Sequence, residues 1–304
     1  MSEAAFRALY ERLRADTREG GVPRRGALRH LTPERVVHAA AEVRTGRTVS
    51  LAAPIETHKG PDSPEPARHR MLAPSADELD APGLHFARDR LEMNLHGDVD
   101  SHLDALCHVI YDGELYDGVP ARTLTPEGAG ELSVGLVRAG IVGRGVLLDV
   151  PRLRGVPWLE PGDHVTLEDL TAAEEAQGVR VGPGDLLFVR VGHRRRRQER
   201  GPWDVSEARA GLHPTALRFL ADRQVAALGG DGNNDTAPCA VDGVGFPVHV
   251  LAIQAMGTYL MDWLQFEELA PACADAGRWS FLCVVAPLRL PAATGSPVNP
   301  VAVL

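Results

Sequence analysis

Apolar positions recur at helical spacing from the start of the chain. Phe6, Leu9, Tyr10 and Leu13 share one face of "MSEAAFRALYERLRAD", opposite charged residues. "REGGVPRRG" (18–26) interrupts that pattern as a loop, through its glycines and proline. Thr32, Pro33 and Glu34 then supply an N-cap, a proline at N1 and an acid in the first turn, so a second helix is expected to run to about Thr45. "HKGPDSPEPARHR" (58–70) is too polar and proline-rich for a core and is expected as a loop or flap over the surface. Further on, the period shortens. β-type runs appear at "GVLLDV" (145–150), "DLLFVRV" (185–191), "QVAALGG" (224–230) and "WSFLCVVAPL" (279–288). Between them, "TLEDLTAAEEAQG" has Thr166 as N-cap and Gly178 as stop. Helical spacing returns at 213–223, 246–257 and 265–277. The chain is therefore a mixed α/β protein with short strands and no internal repeat.

Length and charge narrow the function classes. With 304 residues, 44% of them apolar, one principal domain is expected. A net charge of −9 offers no general attraction to nucleic acid or to an anionic membrane. Glu3, Arg7, Glu11 and Arg14 interrupt any signal-peptide core, and no apolar run approaches the ~20 residues of a membrane span. Cys107, Cys239, Cys273 and Cys283 lack C-x-x-C spacing and read as reduced, buried thiols of a cytoplasmic protein. The basic run "GHRRRRQERGPW" (192–203) reads as a solvated loop, with a mobile lid over an anion-binding site as the functional alternative.

The chemistry concentrates in "NLHGDVDSHLDALCH" (94–108), which holds three histidines and three aspartates and no basic residue beyond them. Imidazole nitrogen and carboxylate oxygen are the donors that hold divalent transition metals. His102 and Asp104 are two apart, so an extended segment directs both to one side. Asp98 stands four before His102 and His108 four after Asp104, each a further candidate ligand. Converging so many ionisable groups among leucines is costly unless they are paired or metal-bound. His30, His38, His69, His85, His164 and His193 stand singly and read as ordinary structural histidines. "GGDGNNDT" (229–236) lacks the G-K-[ST] ending of a phosphate loop. It also fails as a calcium loop, with Thr236 at position six and Asp242 at position twelve. No G-x-S-x-G elbow is present, and Cys107 reads as packed behind the ligands.

"SHLDALCHV" (101–109) resembles the T-H-x-D-A-x-x-H signature of the cyclase family that includes bacterial kynurenine formamidases and isatin hydrolases. Segments 141–155, 184–192, 225–235, 247–257 and 286–304 resemble that family in order, so the likeness covers roughly 94–304. It implies a swivelling β/β/α, kynurenine formamidase-like domain over 76–304, preceded by a helical extension and proline-rich loop over 1–75. It also implies a homodimer or higher homo-oligomer and a small-molecule substrate. The activity implied is hydrolysis of an amide, cyclic amide or lactone by metal-activated water, with Zn²⁺ or Mn²⁺ as the ion. The implied ligands are His102, Asp104, His108, His249 of "PVHVL" and Asp262 of "GTYLMD", the last replacing the family's longer acid. His108 or His213 is the expected proton carrier. Upstream, the family's H-x-G-T-H histidine is replaced: Asp98 is the direct geometric substitute as ligand, and a two-residue bulge would bring His96 there instead. A cyclase or lyase using the same ion, and a catalytically idle ligand-binding relative, are the competing functions. The 229–236 loop is expected to border the site.

Overall fold

The apolar runs become strands of one nine-stranded sheet in the computed structural model, which describes residues 1–17 and 25–304. In chain order these are β1 (Thr48–Ser50), β2 (His102–Asp104), β3 (Ile141–Asp149), β4 (Leu186–Arg190) and β5 (Ala227–Gly230). They continue with β6 (Tyr259–Asp262), β7 (Ser280–Val285), β8 (Gly295–Pro297) and β9 (Val301–Val303). Across the sheet the order is β1-β9-β7-β3-β4-β5-β6-β2-β8. The middle strands β3, β4, β5 and β6 run parallel. β7 joins them antiparallel on one side and β2 on the other. Every residue of β4, β5 and β6 is buried, as parallel strands covered on both faces require. The fold is thus a mixed α/β single domain, with one hydrophobic core that runs from Phe6 to Leu304.

The helices follow their capping signals where those are local. Leu167–Gln177 starts with a reciprocal capping box between Thr166 and Asp169 and ends on Gly178 at φ 61°, a left-handed conformation that glycine adopts without strain. Pro33–Ala40 stops short of Thr45, because the chain turns off to donate the amides of Thr45 and Gly46 to the Leu304 carbonyl. Glu3–Thr17 buries Phe6, Tyr10 and Leu13, as its pattern predicts, against the segment that follows His249. That segment opens as Pro247–His249 and widens into a π-helix, Val250–Ala255, all of it buried. The loop expected at 18–26 lies, but for Arg25 and Gly26, outside the described residues.

Three expectations change. The basic run 192–203 is not a solvated loop: it holds the helix His193–Arg200, and Arg194 is buried. Its guanidinium donates to the carbonyls of Val99 (2.6 Å), Leu264 (3.1 Å) and Trp263, so three main-chain acceptors replace the water it gives up. Arg197 ties the same helix to Glu56 and Asp62, which is how Asp62 of the polar 58–70 segment becomes buried. The end of that segment is also a strand, since Arg68–Ala73 pairs antiparallel with Arg88–Glu92 in an exposed hairpin. Finally, Cys107, Cys273 and Cys283 are buried and free, but Cys239 is exposed in a turn, its thiol donating to the Val244 carbonyl. No helix among the described residues is long and apolar enough to cross a membrane.

Candidate metal centre

Strand β2 sits between β6 and β8 and is buried along its length. Alternation turns Leu103 to one side and His102 and Asp104 to the other. Register sets Asp262 of β6 directly opposite His102, so three donors share one face. Asp104 is the hub of the cluster. Its Oδ1 lies 2.8 Å from His96 Nδ1, 3.6 Å from His102 Nε2 and 3.9 Å from His108 Nε2. Its Oδ2 lies 3.5 Å from His249 Nε2, which in turn stands 3.3 Å from Asp262 Oδ2. Two sets of donor atoms therefore converge on the two oxygens: His96, His102 and Asp104 in one, and Asp104, His249 and Asp262 in the other.

The imidazoles of the two donor sets are each held by a further hydrogen bond. His102 Nδ1 donates to the Asp100 carbonyl at 2.8 Å and leaves Nε2 facing Asp104. His249 Nδ1 is held by Asp235 Oδ2 at 2.6 Å, and Asp235 also accepts the amides of Val248 and His249 at the helix start. Asp262 accepts from the side-chain amides of Asn233 and Asn234, so the 229–236 loop borders the site as expected. His96 stacks on His108, with rings 3.8 Å apart and 9° from parallel, and its Nε2 meets Thr294 Oγ1 at 2.9 Å. Gly295 makes that position possible, since a Cβ there would come within 2.7 Å of His96 Cε1.

The charges are strongly interdependent. Burial alone would raise the Asp104 carboxyl, but the surrounding His108, His249, His96 and His102 hold it well below the usual carboxylate range. Burial would lower His249, yet Asp262, Asp104 and Asp235 drive it well above the ordinary imidazole value. His108 is pushed down to about 4 by burial, which outweighs the pull of Asp104. Burial raises Asp262. Asp104 Oδ2 is buried with no hydrogen-bond donor, a situation that costs about 1–3 kcal/mol when nothing compensates it. A divalent cation is what that orphaned oxygen, the clustered carboxylates and the pre-oriented imidazole nitrogens fit.

A cavity of about 350 Å³ opens beside this cluster, walled by Val109, Ile110, Phe246, Val250 and Trp263. His108, expected as a ligand, falls in neither donor set and lines the cavity together with Asp98. Asp98, the expected upstream ligand, belongs to neither donor set; it is exposed at the rim, facing Arg209 and His102. An irregular turn over 95–100 carries His96 over Asp104 in its place. His213 is not brought to the cavity. Its Nδ1 caps the turn Pro214–Ala216 by accepting the Thr215 amide, and its ring lies edge-on to His164. Cys107 is fully buried, and burial pushes its thiol up to about 11. Spacing gives no sign of Asp235 as the partner of His249. The two stand fourteen residues apart, and only the fold brings them together.

Residues 48–234 match the sequence profile of the family described as Putative cyclase. The chain belongs to that family. A solved cyclase structure is 33% identical over 92% of this chain and 96% of its own, with a TM-score of 0.82. Isatin hydrolase A from Ralstonia solanacearum is 21% identical, covering 89% of this cyclase-family chain and 97% of its own at a TM-score of 0.58. The Labrenzia aggregata isatin hydrolase A bound to benzyl benzoate is 20% identical, covering 88% and 97% at 0.56. At those identities the two hydrolases share the cyclase fold. Comparison with curated protein sequences finds no match.

Proposed function

We propose that this cyclase-family protein is a hydrolase that opens an amide, cyclic amide or lactone at a divalent ion held by His96, His102, Asp104, His249 and Asp262. The observation that carries this reading is Asp104, whose two oxygens face separate donor sets while Oδ2 has no hydrogen-bond partner. Bound there, a divalent ion would polarise the substrate carbonyl and lower the pKa of water towards ~7.

The chain's own residues do the rest. His249, fixed through Asp235, and His102, fixed through Asp100, each present Nε2 without rearrangement. His108 is neutral near pH 7, so its Nε2 takes up a proton, and its low pKa makes the imidazolium a strong acid for protonating the leaving nitrogen or oxygen. Phe246, Ile110 and Trp263 exclude water from one side of the cavity and suit a flat, largely apolar substrate. Asp98 faces the substrate from the rim. All of these residues fall within the proposed catalytic segment 76–304, while 1–75 adds an edge strand and a helix that buries Phe6, Tyr10 and Leu13.

The test is elemental analysis of the purified protein, followed by a screen of aryl formamides, cyclic imides and lactones in ¹⁸O-labelled water. Stoichiometric metal and one ¹⁸O atom in the product are expected. Metal-dependent turnover without label would make the protein a cyclase or lyase. Absence of both metal and turnover would leave an idle relative and overturn the reading.

A further inference from the structure

The cavity beside the metal cluster has no lysine or arginine in its lining among the described residues. Asp104 and Asp262 carry two negative charges in the donor sets, and one divalent ion balances both. Asp98 belongs to neither set, so it is the one charge of the cavity left over. It makes no hydrogen bond or ion pair among the described residues. Arg209 faces it but is committed elsewhere. Its Nε donates to the Asp235 carbonyl at 3.0 Å and a terminal nitrogen to the Val205 carbonyl at 2.7 Å. A second hollow, of about 110 Å³, shares His96 and Asp98 with the cavity and adds Glu65 and Asp100, again without lysine or arginine among the described residues. A cleft whose unbalanced charges have one sign concentrates ligands of the opposite sign.

The apolar wall fixes how a ligand lies. Phe246 has φ 48°, in the left-handed region that a bulky side chain enters only under strain, and the surrounding structure must hold it there. The Arg209 guanidinium lies 5.2 Å from its ring centre and supports the ring as a cation on an aromatic face. The platform is therefore set before any ligand arrives. A flat molecule that covers Phe246 and brings its carbonyl to the cluster presents its remaining substituent to the rim, where Asp98 stands. An ammonium group there gains charge-assisted hydrogen bonds from a carboxylate that lacks a donor. A carboxylate there meets Asp98 with no lining cation to offset the repulsion, which discriminates against it.

We infer that Asp98 determines specificity in this cavity and selects substrates whose flat apolar body carries an ammonium group and no carboxylate beside it; this rests on the hydrolytic reading of the same site. The test has two arms, on metal-loaded wild type, Asp98→Asn and Asp98→Arg whose circular dichroism matches. The first compares kcat/KM for formanilides that carry an aminomethyl, an ethyl or a carboxymethyl group. Wild type is expected to favour aminomethyl over ethyl by about tenfold or more, Asp98→Asn to lose that preference, and Asp98→Arg to turn it towards carboxymethyl. The second arm needs no turnover: calorimetric binding of benzyltrimethylammonium, a cation that cannot ligate a metal. Its affinity is expected to fall about tenfold or more in Asp98→Asn and further in Asp98→Arg. Binding that depends on Asp98, without turnover of any formanilide, supports the charge preference and counts against the hydrolytic reading alone. The inference is overturned if benzyltrimethylammonium is not bound, or is bound equally by wild type and Asp98→Asn. Equal turnover of the aminomethyl and ethyl compounds by wild type overturns it too, as does an Asp98→Asn protein that purifies without metal.

Discussion

Asp235 holds His249 through the nitrogen that faces away from the cavity, at 2.6 Å, and so decides which nitrogen His249 offers to Asp104 and Asp262. The carboxylate is buried and also accepts two main-chain amides, so it cannot swing to another partner. Replacing it with asparagine keeps the shape and removes the charge. Asp235→Asn is expected to lower metal affinity by roughly 10–100-fold with the melting temperature little changed, read by titration with a competing chelator. Wild-type affinity in that variant would show that His249 needs no such support.

His96 and Asp98 compete for one role, and the structure puts His96 in the donor set with His102 and Asp104. His96→Ala is therefore expected to purify with reduced metal. Asp98→Ala is expected to keep its ion and to change mainly KM, because that carboxylate stands at the rim. Metal content measured on both proteins decides between them: an empty Asp98→Ala beside a full His96→Ala would reverse the assignment.

Arg194 gathers the carbonyls of Val99, Trp263 and Leu264, which lie beside Asp98 and Asp262 in the chain. Arg194→Leu takes the donor from the buried carbonyls of Val99 and Leu264, while that of Trp263 keeps the Ser101 hydroxyl. Urea denaturation is expected to show a loss of about 2 kcal/mol or more, since each orphaned acceptor costs ~1–3 kcal/mol. Metal affinity should fall in parallel, because the strand end that carries Asp262 loses its anchor.

His193 is buried between the rings of Trp203 and Trp263. Burial, reinforced by Arg194, Arg197, Arg196 and Arg209, holds it well below its ordinary 6.5. Below that value the unfolded chain takes up a proton that the folded chain refuses, so stability falls as the pH drops. Between pH 7.5 and 5.5 the wild type is expected to lose about 1 kcal/mol more than His193→Gln, by urea midpoints at the two pH values. Equal losses would show that another group governs the acid limb.

What could be read from the residues alone was local or strictly periodic. His102 and Asp104 were legible because a two-residue spacing on a strand has one geometric meaning, and the helix at Leu167–Gln177 because its caps are its neighbours in sequence. His96 against Asp98 was not, since the answer depends on an irregular turn over 95–100 whose path no periodicity encodes. The basic run misled for a related reason: burying Arg194 depends on three carbonyls from distant segments. The hairpin escaped notice because strands exposed on both faces carry no alternation. His213, expected as a proton carrier, instead caps the turn Pro214–Ala216 away from the cavity, a placement that its spacing does not encode.

Gly295 bears on how chains of this kind are sorted. No donor atom comes from it, yet the ring of His96 occupies the space where any other residue would place its first side-chain carbon. A sequence that kept every histidine and aspartate of the cluster but carried alanine at 295 would pass a motif search and still have its His96 displaced from Asp104. Surveys that score only the liganding letters will count such chains as competent, and the silent letter beside them is the one to inspect.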